Sequence, residues 1–152
     1  MNQLISYPQG VLLGVMVPHV LRKLGFRIGK RGVRYYAEVH TSALNSYCHS
    51  LGMPFFTYGI LIVLSMLAGE TKVDAQYTQD VLYSSYMTHY FIVNPQVGAV
   101  TAMIYSVPYI TARSAVEDFY GEEKKSLRER MTSSLIKEGS SIALGSLMIQ
   151  EY

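Results

Sequence analysis

Long uncharged, apolar blocks set the pattern of this chain, and they predict helices. Residues 42–69 carry no formal charge, and 54–68 (PFFTYGILIVLSMLA) are almost wholly apolar. That is the length needed to cross a bilayer core of about 30 Å, which takes about 20 helical residues. A buried helix of a soluble protein would satisfy the same pattern. The block 81–112 is also uncharged but too long for one ordinary span, and Asn94, Pro95 and Gln96 interrupt its middle. It divides into a Tyr-rich piece, 81–93, expected to be interfacial or half-buried, and a second span, 97–112, whose small residues suit close helix packing. Residues 1–21 lack charge too, but Pro8, Gly10, Gly14 and Pro18 break them and they are short for a span.

The remaining segments are polar or short. Residues 70–74 (ETKVD) are expected to be a loop that gives a polar exit from the first span. Residues 117–138 are dense in both signs and contain EEKKSLRER, which predicts a mixed-charge helix in water. Residues 139–150 (GSSIALGSLMIQ) are apolar but too short to span, and are expected to pack on a partner or on the membrane face. The predicted fold is therefore all-α: a helical multi-span integral membrane protein with a mixed-charge extramembrane C-terminal helix. It is one membrane domain over 1–152, divided into an apolar N-terminal segment (1–21), a basic loop or interfacial helix (22–40), a first clear span (42–69), an interfacial helix plus second span (76–112), and a polar helix with an apolar tail (113–152).

Composition agrees with this pattern. The 152 residues are 49% hydrophobic and 16% charged, below the roughly 25% charge of an ordinary soluble domain, and mean hydropathy is +0.16. The net charge of +2 conceals a strong segregation. Arg22, Lys23, Arg27, Lys30, Arg31 and Arg34 all precede the first acidic residue, Glu38, and no formal charge lies between Asp80 and Arg113. Because apolar segments flank the basic cluster, it reads as a positive-inside loop or a lipid-headgroup contact rather than a nucleic-acid patch. A cleaved secretory signal would carry its positive charges before the apolar core, whereas here they follow it. The acid-free, Arg-bearing N-terminal third does resemble a mitochondrial address in composition. Thirteen Tyr and no Trp, several near the ends of apolar runs, suit a bilayer interface, and equally suit core or subunit contacts.

Chemistry concentrates in one window, where Tyr36, His40, Asn45, His49, Ser50 and Pro54 stand at the mouth of the first span. Imidazole is the commonest neutral metal ligand and the usual proton carrier near neutrality. On one unbroken helix His40 and His49 would point about 180° apart. They converge only if the helix is interrupted, and Thr41 or Ser42 could cap a new helix carrying Asn45 and His49. The bland alternative is that both imidazoles are hydrogen-bonded supports of a kinked helix. The single cysteine, Cys48, excludes an internal disulfide. It is one residue off the face of Asn45 and His49, and reads as a small buried hydrophobe rather than a nucleophile. His19 is expected to be structural or interfacial. There is no Walker-type or dinucleotide-type glycine loop and no CxxC pair.

The run YYAEVHTSALNSYCHSLGMP resembles the opening signature of the small membrane proteins related to the fungal 2-hydroxy-palmitic acid dioxygenase. The match lies at Tyr36, His40, Asn45, His49, Ser50 and Pro54, and covers about an eighth of the chain. The resemblance implies a multi-span endoplasmic-reticulum protein that uses Fe(II) and oxygen to shorten 2-hydroxy fatty acids by one carbon. His40 and His49 would be iron ligands and Asn45 would position one of them or a bound water, with Tyr36 and Asn45 as the catalytic candidates. The family's second signature, a Gly-His pair followed by Phe-Glu and later Pro-Ala, is represented only by THYFIVNP around His89. His89 is the candidate third ligand, and Glu38 and Asp80 are the nearest carboxylates.

Two functions follow as expectations. One is a divergent membrane-embedded non-haem Fe(II) dioxygenase acting on 2-hydroxy fatty acids. The other is a non-catalytic accessory subunit of a large membrane assembly, such as a respiratory complex or a virion membrane, that kept the fold without the full metal site. Expected partners are the bilayer, lipid acyl chains and proteins of a membrane assembly, without nucleic acid. The expected location is an internal membrane, of the endoplasmic reticulum or the mitochondrion.

Overall fold

Six helices run through a computed structural model that describes residues 3–26, 34, 38, 42–121 and 123–150, and no strand occurs among those residues. They are α1 (Gln3–Lys23), α2 (Ala43–Ala68), α3 (Lys72–Val93), α4 (Pro95–Tyr120), α5 (Leu127–Thr132) and α6 (Ser134–Gln150). The all-helical expectation holds. Helix α2 begins directly after Ser42, as the sequence predicts, and its Tyr47–Ala68 stretch is long and apolar enough to cross a membrane by length and composition. Among the described residues it is the one helix that is.

The uncharged block divides where Asn94 and Pro95 stand. The Asn94 side chain accepts from the backbone N–H of Gln96 and Val97, and Pro95 opens α4, where its missing N–H would have no helical partner. Three expectations need correction. The 70–74 segment is not a loop throughout: Thr71 caps α3 in a reciprocal capping box with Asp74, so helix resumes at Lys72. The polar stretch 117–138 is not one helix. Its first part ends α4 at Tyr120, a second capping box of Ser126 and Glu129 starts the six-residue α5, and α6 begins at Ser134. Within the N-terminal segment the described residues 3–21 are not broken, because α1 runs through Pro8, Gly10, Gly14 and Pro18.

Tertiary contact explains α1. Ser6, Gly10 and Gly14 recur every fourth residue and share one face. That face lies against α3: a Cβ at Gly10 would sit 2.6 Å from the Val81 carbonyl oxygen, and one at Gly14 would sit 2.5 Å from that of Ser85. The two helices are parallel, since Ser6 meets Asp80 and Gly14 meets Thr88. The glycines are thus the approach points of a helix pair.

α2 is the hub. It packs against α3, α4 and α6, burying Leu61, Ile62 and Met66 with Ala112 and Val116 of α4 and Ile136 of α6. The apolar tail 139–150 therefore finds its partner within the chain. Gly59 of α2 faces Gly139 and Ala143 of α6 so closely that a Cβ on Gly59 would lie 2.4 Å from the Gly139 carbonyl oxygen.

The charged end of the bundle ties off α2. The last carbonyls of a helix have no intrahelical donors. Here the Arg130 guanidinium donates to Met66 O at 2.6 Å, to Leu67 O at 3.2 Å and to Gly69 O, while Tyr120 Oη donates to Gly69 O at 2.7 Å. Lys124 pairs with Glu70 at 2.5 Å and holds that carboxyl below its ordinary range. Depression of an acid's pKa in the fold stabilises at neutral pH, and the contribution disappears as pH falls through the lowered value.

Gly59→Leu is expected to destabilise the bundle by about 1–3 kcal/mol through overpacking, while Gly145→Ala, inside α6 where a Cβ meets nothing within 4 Å, is expected to stabilise it by about 0.5–1 kcal/mol. Thermal unfolding of both variants in detergent, followed by circular dichroism, checks the contrast.

Candidate functional site

Asp80 is the most demanding side chain in the molecule. It is 1% exposed, and a buried carboxylate is costly unless paired and hydrogen-bonded. Three helices supply the partners. Ser6 of α1 donates to Oδ2 at 3.1 Å, and Tyr109 and Arg113 of α4 each donate to Oδ1 at 2.5 Å. Tyr109 Oη also lies 3.1 Å from Tyr7 Oη and 3.2 Å from the Arg113 guanidinium, which reaches on to Gln76 Oε1 at 3.4 Å. Along the axis below, Tyr83 stacks on Tyr109 with ring centres 4.3 Å apart, and Tyr86 contacts Tyr90 and Tyr105. The tyrosines of 81–93 thus line the bundle interior as much as any interface.

The residue preceding Asp80, Gln79, is fully buried. Ser65 Oγ gives its single proton to Ile62 O at 3.0 Å, so it accepts from Gln79 Nε2 at 3.4 Å, and the same amide donates to Ala112 O at 3.2 Å. Both contacts are acceptors, which fixes the amide orientation. Gln79 Oε1 has no hydrogen-bond partner among the described residues.

The candidates of the sequence window fare differently. Tyr36 and His40 lie outside the described residues, as does the side chain of Asn45, which occupies the first turn of α2. His49 is half-buried on α2. His89 is half-buried on α3 with its ring edge-on to Tyr90. Since Gln79 faces Ser65 across this antiparallel pair, His89 is level with the neighbourhood of Phe55, about 9 Å along the axis from His49. No group of three or more His, Cys, Asp or Glu that could hold a metal occurs among the described residues. Of the two carboxylate candidates, Glu38 is exposed and pairs with Arg34 at 3.2 Å, and Asp80 pairs with Arg113. His19 is exposed beside Arg22. Cys48 is half-buried and lines an apolar groove of about 540 Å³ with Tyr47, Leu51, Phe55, Ile142 and Ser146.

Sequence reasoning passed over Arg113, Tyr109, Ser6 and Gln79. The available signal was that Asp80 and Arg113 are the first and last charges around the uncharged hairpin of α3 and α4. With helices turning at Asn94, residues so placed come back side by side. The chain matches no family model, and no curated protein or solved structure is significantly similar to it.

Arg113→Leu leaves Asp80 buried without its cation and is expected to cost about 3–5 kcal/mol, whereas the double variant Asp80→Leu/Arg113→Leu recovers most of that loss. A double-mutant cycle measured by unfolding in detergent reads the coupling; additive losses would remove the pair from its central role.

Proposed function

We propose that this chain is a bilayer-embedded helical protein acting as a non-catalytic subunit of a membrane assembly. One observation carries the reading: beside its apolar core the interior collects polar side chains, while many large apolar side chains face outward. The interior holds Ser6, Ser65, Gln79, Asp80, Ser84 and Thr101, while Leu12, Met16, Met103, Val107, Ile110 and Met148 are exposed. Exposed apolar surface of this extent marks a lipid or protein contact.

The charges bound a slab. From the level of Asp80 to that of Arg22 and Lys23, α1, α3 and α4 carry no ionised side chain. Sixteen residues of α1 separate Ser6, which touches Asp80, from Arg22. This is about 24 Å of helix, a little under a typical hydrocarbon core of about 30 Å. In this reading α1, α3 and α4 cross together with α2, the helix whose composition alone is sufficient. Ionisable groups buried at membrane depth usually mark pathways or pumps. Here both members of the ion pair are saturated by neighbours, which favours a structural part. The outer face of α1, with Leu12 and Met16 exposed, offers a surface to further subunits. Membranes of the mitochondrion or the endoplasmic reticulum both fit the basic end at Arg22 and Lys23.

A second reading keeps the dioxygenase resemblance, because the 540 Å³ groove opens beside the turn that carries His49 and could admit an acyl chain. In it, His40, His49 and His89 bind Fe(II), and Asn45 and Tyr36 serve the reaction.

Metal analysis separates the two. After anaerobic Fe(II) loading and desalting, the subunit reading expects no stoichiometric iron by inductively coupled plasma mass spectrometry, and no change in His40→Ala or His49→Ala. About one iron per chain, lost in either variant, would overturn it in favour of the dioxygenase. Resistance of the native protein to alkaline carbonate extraction tests the bilayer placement itself.

A further inference from the structure

α6 turns one face to α2 and the opposite face outward. Gly139, Ala143 and Ser146 are buried, while Lys137, Glu138, Ser141 and Met148 are exposed. At about 100° per residue, the line opposite the buried face passes between Lys137 and Glu138 and then runs along Ser141, Gly145 and Met148. Small residues stand at its centre. A Cβ on Gly145 meets nothing within 4 Å, so a second helix can approach closely there.

The two charges at the head of this line are unmatched within the chain. Successive helical residues do not face each other, and neither Lys137 nor Glu138 is in an ion pair among the described residues. Glu138 Oε1 accepts from Tyr58 Oη at 3.3 Å, and that contact fixes its depth. Ser65 of α2 is level with Gln79, at the edge of the uncharged slab, and Tyr58 is seven residues further in, about 10 Å into a slab about 24 Å deep. Ionised side chains at membrane depth are costly and pair with one another.

An acid and a base side by side, at one height and both turned outward, make a surface complementary to itself. Where a two-fold axis relates two parallel helices, the residues flanking the contact line on one side meet those flanking it on the other. Lys137 of each copy then stands opposite the partner's Glu138. On the Glu138 flank, α4 and α6 leave a trough of about 390 Å³ lined by Phe55, Val107 and Ile142, which takes the methylene stem of the incoming lysine while its ammonium reaches the carboxylate. A foreign helix with one cation would satisfy Glu138 and leave Lys137 unmatched, whereas a second copy satisfies both.

We infer that two copies of this chain pair in parallel through the outer face of α6, with Lys137 of each on the partner's Glu138 and Ser141 beside the axis. The inference rests on the bilayer placement proposed above and makes a second copy one partner in the assembly.

Cys48 is the single cysteine, so the variant Cys48→Ser/Ser141→Cys carries one thiol beside the axis. Reconstituted in vesicles and oxidised with copper phenanthroline, it is expected to form a disulfide-linked dimer, while Cys48→Ser/Leu12→Cys, on the outer face of α1, stays monomeric. Adding Lys137→Glu or Glu138→Lys sets like charges opposite each other and is expected to lower the linked fraction about tenfold. Mixing these two charge variants, given tags of different mass, restores linkage in the mixed dimer alone, because each acid again meets a base. An equal yield at position 12, no loss in the charge variants, or no recovery on mixing overturns the inference and leaves the bilayer placement standing. Absence of linked dimer in vesicles that carry the protein does the same. Failure of the protein to float with vesicles overturns the placement and the dimer together.

Discussion

A single buried carboxylate organises the bundle. Asp80 sits where water cannot reach it, so its charge has to be met by groups from neighbouring helices, and Ser6, Tyr109 and Arg113 do so from α1 and α4. The contact is directional in a way that apolar packing is not. Sliding α4 by one residue along α3 would withdraw both Tyr109 and Arg113, leaving an uncompensated ion in a medium of low polarity. The pair therefore fixes the register of α3 against α4. Through Ser6 it also fixes the height of α1, whose glycines could otherwise seat at more than one level.

The same constraint shapes what surrounds it. Once the polar groups are drawn inward, the outer surfaces of α1 and α4 are left to residues such as Leu12, Met103 and Val107. At the charged end the situation is reversed. Arg130 is nearly buried, yet it forms no ion pair among the described residues; it serves the open carbonyls at the end of α2. The two arginines thus do different jobs. Arg113 answers a full negative charge and Arg130 answers the partial negative charge of a helix terminus.

Much of this was legible in the chain and some was not, for identifiable reasons. The turn at Asn94 and Pro95 and the start of α2 after Ser42 are local events, written in capping chemistry that acts over three residues. Gly10 and Gly14 mislead because a glycine read in isolation is a helix breaker, whereas here its missing side chain admits α3. The tail 139–150 looked orphaned because its partner, α2, lies some eighty residues earlier. Asp80 and Arg113 were visible as the ends of an uncharged block, but their pairing depended on the helical hairpin between them. The histidine signature is only partly represented, since His40 and Tyr36 fall outside the described residues, and His49 and His89 sit at different heights.

The parallel seam between α1 and α3 has a consequence for the order of assembly. Ser6 and Asp80 are 74 residues apart in the chain. At a synthesis rate of about 5–20 residues per second, α1 exists for roughly 4–15 s before its docking surface has been made. During that interval it has no helix to lean on and must remain a helix by its own backbone bonds. In the bilayer placement proposed above, a charge in its middle would be unmatched for the whole wait, even one that the finished bundle could accommodate. The uncharged composition of α1 between Gln3 and Leu21 can thus be understood as a requirement of the waiting state, imposed before any of the contacts seen in the folded protein exist.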